Sequence, residues 1–318
     1  MFPLTKLKAI PFAVSILLII VIIYFSNPYQ IYDAVIKINK LYIAAALGIA
    51  VLNISLRVLK WKVILDGVGY FELFPIQTFG MTLSSLTPGK IAEPVKSVIL
   101  RIKKGIPVSV SLPTVIWERI NDIVSTIILA FVAMQAISIK SDLLFLSIFS
   151  MSAFSVLIIL LVFAMHSMSF GKRVFSVIKK LPGTGGISES FIENFYSIKT
   201  KKRKVLKSFL VTFLAWVLEG LIFHIVLLSM GIEINFILLA GIVSLAVIIG
   251  IVSSLPGGIG SSEFVMIFLL GLNGVGGAAA VTSVFIYRII AFWFAALVGG
   301  LSFVYLSRKI DMKEFKLF

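Results

Sequence analysis

Ser85–Pro94 reads SLTPGKIAEP, and Ser254–Glu263 reads SLPGGIGSSE. Both stretches open with Ser-Leu, carry a Pro-Gly pair and contain a glutamate near their end. Proline removes a backbone donor and glycine accepts left-handed backbone, so each stretch breaks a helix. The surrounding chain of 318 residues is 59% hydrophobic and 14% charged, with a mean hydropathy of +1.10. Soluble domains carry roughly a quarter charged residues, so this composition belongs in a bilayer. How two polar breaks sit among apolar runs therefore decides the fold.

Ala9–Ile31 and Leu143–Met165 contain no charge, and Asn235–Ser307 contains only Glu263 and Arg288. A helix needs about 20 apolar residues to cross the hydrocarbon. The pattern predicts six spanning helices near 8–26, 41–58, 107–137, 143–165, 206–230 and 278–306. The first follows Lys6 and Lys8 like a signal peptide, but Tyr24–Asn27 is a poor cleavage site, so an uncleaved anchor is expected. The stretches 75–101 and 235–274 remain, each broken near its middle by Pro-Gly. Both are read as re-entrant hairpins, which a bilayer tolerates when they are buried in protein or line a cavity.

Basic residues orient this arrangement. With a cytoplasmic N-terminus and both hairpins returning to their side of entry, nearly all lysines and arginines fall inside. These include Arg57, Lys60 and Lys62, Arg101 to Lys104, and the ten basic residues from Lys172 to Lys207. Lys37, Lys40 and Lys140 fall outside. The expectation is one membrane domain, 1–318, in the cell membrane with both termini cytoplasmic. It divides into two halves of opposite orientation, 1–140 and 141–306, the second including a cytoplasmic loop at 166–205. Such an inverted repeat recurs in secondary transporters, with sites near the midplane at broken helices. Sequence echoes agree: VIWERI at 115–120 answers VFIYRI at 284–289, and Glu93 precedes Arg119 by 26 positions where Glu263 precedes Arg288 by 25.

Charges inside a membrane are costly, so those retained pair, face a cavity or serve function. The candidates are Lys90, Glu93, Lys96, Glu118, Arg119, Asp122, Glu219, Glu263 and Arg288. The breaks at Pro88-Gly89 and Pro256-Gly257-Gly258 start a half-helix inside the protein, whose free N–H groups and positive dipole end favour anions such as phosphate. Lys90 is expected in the first turn of one half-helix. Glu93 and Glu263 either cap those helices and pair with Arg119 and Arg288, or gate a polar path with them. Glu118 and Asp122 share a helix face with Arg119 nearby; they could carry protons or form a static ion-pair network. Arg57, Lys60, Lys62 and Arg101 are read as snorkelling to the interface, and Trp61 and Trp117 receive no role.

Several classes are excluded or weakly supported. The chain has no cysteine, so no disulfide, thiolate nucleophile or Cys-ligated metal is available. The net charge of +15 is spread through loops, which argues against nucleic-acid binding. His166 and His224 lack a ligand pattern, so no metal site is expected. Pro-Gly-Lys at 88–90 lacks the frame of a nucleotide P-loop, and no cofactor is expected.

PGKIAE followed by ERIND, then SLPGGIGSSE followed by YRI, resembles the flippase-like transmembrane region of the lysylphosphatidylglycerol synthase/flippase family. The family's first motif usually reads P-G-R-x-G-E, so Lys90 and Ala92 are departures, and lysine gives up the bidentate grip of arginine on phosphate. The resemblance implies that Lys90, Glu93, Glu118, Arg119, Asp122, Glu263 and Arg288 meet or gate a lipid headgroup. It implies movement of an anionic or aminoacylated lipid, a phospholipid or a polyprenyl phosphate, across the bilayer. Bifunctional relatives add a soluble aminoacyl-transferase domain, which a chain ending at Phe318 is not expected to carry. A transporter rather than an enzyme is therefore expected, with a membrane lipid as partner; a homo-oligomer and coupling to protons stay open. The alternatives are a membrane-embedded transferase using a lipid-phosphate donor, with Glu118 and Asp122 as its catalytic pair, or a non-catalytic scaffold.

Overall fold

A computed structural model describes residues 28–141 and 189–309, together with positions 15, 17, 18, 20 and 156. All regular structure among these residues is helical. Apart from those five positions, the expected spans at 8–26 and 143–165 lie outside the described residues.

A short helix, α1 (Pro28–Ile36), leads into α2 (Lys40–Ile64). Asn39 caps α2, its Oδ1 accepting from Leu41 N at 3.0 Å, as expected of an asparagine before a helical run. The first hairpin follows. Its outer arm is α3 (Tyr70–Leu86), its tip a 3-10 turn at Pro88–Lys90 and its returning arm α4 (Val95–Lys104). Gly105, left-handed at φ 69°, ends α4. Next is the long α5 (Val108–Ser141).

The second described segment opens with α6 (Glu189–Thr200) and the long α7 (Lys202–Leu228). The second hairpin comprises α8 (Phe236–Val252), a 3-10 turn at Pro256–Gly258 and α9 (Ser261–Leu272). The last rod joins α10 (Gly277–Arg288) to α11 (Phe294–Ser307) through a π-helical turn at Ile289–Trp293. Three described helices are long and apolar enough to cross a membrane: Lys40–Ile64, Lys202–Leu228 and Gly277–Ser307. The protein is thus an all-α membrane protein. The hairpin arms are shorter. At 1.5 Å per residue, the 17 residues of α3 or α8 reach about 25 Å against a hydrocarbon core of about 30 Å.

One stretch read as loop is folded. Within 166–205, α6 forms because Phe191, Phe195 and Ile198 fall on one helical stripe and pack inward. Phe195 stacks on Trp117 of α5 with ring centroids 5.5 Å apart, and its carbonyl accepts from Trp117 Nε1 at 2.9 Å. Trp61 is likewise internal, donating to Thr114 Oγ1 at 2.9 Å.

The packing has an internal correspondence. Helix α2 runs along α7, α5 along α8, and α3 along α11. Exchanging the first half's α2, hairpin and α5 for the second half's α7, hairpin and final rod maps the α5–α8 contact onto the α11–α3 contact. It also maps the contact of α8 with the first tip onto that of α3 with the second tip, and the two tips touch one another. A cluster around Phe223, Leu239, Ile242 and Val284 forms the core of the second segment, and Trp61, Leu73, Ile76 and Ile99 centre that of the first hairpin.

Candidate functional site

The two tips share one backbone shape. Gly89 has φ 62° and ψ 11°, and Gly257 has φ 64° and ψ 7°. The next residue in each is left-handed too: Lys90 at φ 57° and Gly258 at φ 61°. Lys90 thus holds a conformation that costs a side-chain-bearing residue roughly 1–2 kcal/mol, at the position where the other tip has glycine. The sequence pattern places Lys90 in the first turn of a half-helix. Instead it closes the 3-10 turn, and α4 begins only at Val95, because Pro94 has no N–H to donate and serves as the N-cap. The second tip keeps the expected form: Glu263 sits in the first turn of α9 and its Oε2 accepts from Gly260 N at 2.6 Å.

Where the tips meet, a cavity of about 130 Å³ opens between α2, α3, α7, α8 and the last rod. Its charged lining is Arg57, Lys90, Glu219 and Arg288, with Tyr287 and Trp216 beside them. Arg57 Nη2 donates to Glu219 Oε1 at 2.7 Å, and Tyr287 donates to Glu219 Oε2 at 3.0 Å. The Arg57 guanidinium lies 5.0 Å from the Trp216 ring centroid. Arg288 Nε approaches Glu263 Oε1 at 2.6 Å, off the line of a straight hydrogen bond, so that contact is one of charge. Arg288 Nη2 donates to Gly257 O at 2.9 Å, tying the rod to the tip. Phe292, one turn on within the π-helical segment, lies 4.3 Å from the guanidinium by ring centroid. Such π turns break regular spacing and frequently occur at functional sites. Lys90 differs from the others: among the described residues its ammonium has no hydrogen-bond or ion-pair partner.

Behind the first tip lies a buried charge lattice. Glu93 pairs with Arg119, the counterpart of Glu263 with Arg288. Lys96, fully buried, reaches Glu93 at 2.8 Å, Glu118 at 2.7 Å and Gln77 Oε1 at 2.9 Å. Its stem crosses α3 at Gly80, where a Cβ would stand 2.2 Å from Lys96 Cγ; glycine clears the path. Lys60 spans Asp122, with oxygens at 2.7 and 2.8 Å, and Glu118 at 3.2 Å. Trp216 Nε1 adds a 2.9 Å bond to Asp122, and Gln77 donates to Glu118 at 2.6 Å. Arg119 Nη2 donates to Ser84 Oγ at 3.2 Å, and that hydroxyl donates to Lys90 O at 2.8 Å. Glu118 and Asp122 therefore sit inside a lysine-held lattice.

The structure corrects two sequence assignments. Arg57 and Lys60 do not snorkel: both are internal, Lys60 only 2% exposed. They turn inward because α7 and α5 place Glu219 and Asp122 opposite them, and a buried charge stays where a partner satisfies it. Asn53, Arg57 and Lys60 at steps of four and three mark one polar stripe on a mostly apolar helix, a spacing that could have revealed them. Lys62 and Arg101 are exposed. Of the predicted residues, Lys90, Gly89, Gly257, Gly258 and Arg288 line the cavity; Glu263 stands behind Arg288; Glu93, Glu118, Arg119 and Asp122 form the lattice. Glu219 accepts from Arg57 and Tyr287, and no metal-ligand cluster occurs among the described residues.

Comparison with known proteins places this geometry in context. Residues 9–299 match the family described as Lysylphosphatidylglycerol synthase TM region. A UPF0104 membrane protein of Methanothermobacter thermautotrophicus is 30% identical over 307 residues, covering 91% of each chain. Another, from Pyrococcus horikoshii, is 24% identical over 91% of this chain and 94% of its own. A phosphatidylglycerol lysyltransferase of Bacillus subtilis is 37% identical over 90 residues, 28% of this chain and 10% of that protein.

Proposed function

The chain belongs to the lysylphosphatidylglycerol synthase TM region family, and from that premise we propose that it moves a lipid with an anionic headgroup between the leaflets of the cell membrane. The carrying observation is the cavity where both tips meet, lined by Arg57, Lys90 and Arg288 against the single carboxylate of Glu219. The headgroup enters between the tips while its tails remain in lipid. Lys90 and Arg288 meet the phosphate, and Glu263 holds Arg288 when the cavity is empty. The hairpins are re-entrant, from opposite sides, and both termini are cytoplasmic. The exchange of α2, α3 and α5 contacts for those of α7, α8 and the last rod supports the inverted repeat of 1–140 and 141–306. A relative that transfers lysine to phosphatidylglycerol makes a phospholipid the natural first substrate to try.

The transferase reading needs a carboxylate free to act on a bound donor. Glu118 and Asp122, its candidate pair, are held by Lys60 and Lys96 in the lattice and do not line the cavity. That observation favours transport.

Proteoliposomes containing a fluorescent phosphatidylglycerol test the proposal. The protein accelerates exchange between leaflets without changing the lipid's mass, and Lys90→Ala slows it about tenfold at unchanged thermal stability. A lipid modified only in the presence of protein points to the transferase. Neither movement nor modification leaves a scaffold and sinks the proposal.

A further inference from the structure

The charges buried among the described helices nearly cancel. In the lattice, Lys60, Lys96 and Arg119 face Glu93, Glu118 and Asp122. Glu219 matches Arg57, and Glu263 matches Arg288. The uncharged sequence runs Ala9–Ile31 and Leu143–Met165 add nothing to this balance. One cation is left over, Lys90. It lines the cavity, has no partner among the described residues and stands on left-handed backbone where the other tip has Gly258.

Resting on the transport reading above, we propose that Lys90 sets the charge class of the substrate: the cavity accepts a headgroup with one net negative charge, a phosphodiester. In a medium of low dielectric, unmatched charge is expensive and each excess charge counts. A phosphodiester beside Lys90 brings the whole set to neutrality. A phosphomonoester carries close to two negative charges above its second ionisation, near pH 6, and leaves one of them unmatched. A zwitterionic headgroup leaves Lys90 unmatched. Releasing Glu263 from Arg288 to admit a second phosphate charge only transfers the imbalance to the carboxylate. The lysine is also suited to discrimination by charge alone, because a compact ammonium offers a point charge without the planar fork of arginine.

The experiment compares three lipids at pH 7: phosphatidylglycerol (a monoanionic diester), phosphatidic acid (a monoester) and phosphatidylcholine (a zwitterion). Leaflet exchange is measured in proteoliposomes, and binding is measured separately by native mass spectrometry of the detergent-solubilised protein. The parent moves and binds phosphatidylglycerol at least tenfold better than the other two. Lys90→Gly keeps the backbone, reproducing the Pro-Gly-Gly of the second tip, and removes the charge. It loses that preference for phosphatidylglycerol over phosphatidylcholine, and Lys90→Arg retains it. Soluble glycerophosphoglycerol competes for binding less than one-tenth as well as the lipid; equal competition would transfer the site to an aqueous solute and overturn the lipid assignment. Equal movement of all three lipids leaves transport standing and refutes charge selection. Selective binding without movement upholds charge selection and refutes transport. A discrimination unchanged in Lys90→Gly refutes the role given to Lys90.

Discussion

Lys60→Met tests the buried lattice most directly. Lys60 is 2% exposed, and its ammonium contacts both Asp122 oxygens and Glu118. Methionine matches the stem but removes the charge, leaving Asp122 with a Trp216 bond and a 3.9 Å approach from Arg119. Breaking a buried pair by removing one partner costs about 3–5 kcal/mol. One kcal/mol shifts the midpoint of a domain of this size by roughly 2 °C, so thermal unfolding in detergent should fall by roughly 6–10 °C. Adding Asp122→Asn removes the stranded charge and should recover at least about 1 kcal/mol, a coupling measured by the double-mutant cycle. A snorkelling lysine would cost within about 0.5 kcal/mol, as surface changes usually do. A single variant as stable as the parent would refute the lattice.

Three further outcomes follow from the geometry. Gly80→Ala drives a methyl group against the Lys96 stem, whose head is pinned by its partners, and should lower stability by about 1–3 kcal/mol in the same unfolding assay. Asp66, in the turn after α2, is held below the usual carboxylate range, first by its hydrogen bond to Lys204 and then by Lys201. A depressed folded pKa means that its contribution is present above the unfolded value, near 3.9, and fades as pH falls through the folded one. Because the side chain is 58% exposed, Asp66→Asn should cost at most about 1 kcal/mol at pH 7, and parent and variant should converge when melted near pH 2. In the cysteine-free chain, single cysteines at Lys37 and Lys309 should label from outside and only after permeabilisation, respectively; the reverse at Lys309 would remove the re-entrant second hairpin.

Local chemistry made much of this architecture legible. The apolar runs around Ile54 and Phe223 are long enough to declare helices, and the Pro-Gly pairs declare the tips. Glutamates 25 and 26 residues ahead of arginines announced the Glu93–Arg119 and Glu263–Arg288 contacts. The partner of Asp122 was not legible, because Lys60 lies 62 residues away and meets it only through the packing of α2 on α5 and α7. The Asn53–Arg57–Lys60 stripe marks an inward face for Lys60, but it does not name the carboxylate that Lys60 meets. Gln77 was not legible either, because a neutral residue in an apolar run carries no charge to demand a partner, yet it bonds both Lys96 and Glu118. The helix at Glu189–Thr200 was hidden by its polar surroundings; its Phe-Phe-Ile stripe has meaning only once Trp117 is there to receive it.

The lattice also constrains how the protein is made. The first hairpin carries Lys90, Glu93 and Lys96; Glu93 and Lys96 pair with each other, but their further partners Glu118 and Arg119 emerge from the ribosome more than twenty residues later, on α5. On the hairpin by itself Glu93 offsets only one of Lys90 and Lys96, and a charge entering hydrocarbon unmatched costs about 2.5–3.5 kcal/mol on insertion scales. The hairpin is therefore poorly suited to partition into lipid as soon as it is synthesised. It is expected to wait at the insertion machinery until α5 has been translated, and to enter with α5 as one neutral unit beside the Lys60 already on α2. The second hairpin carries only Glu263, matched by Arg288, and its assembly waits for the final rod alone. Biogenesis is then expected to run in two blocks, each closed when its long helix arrives.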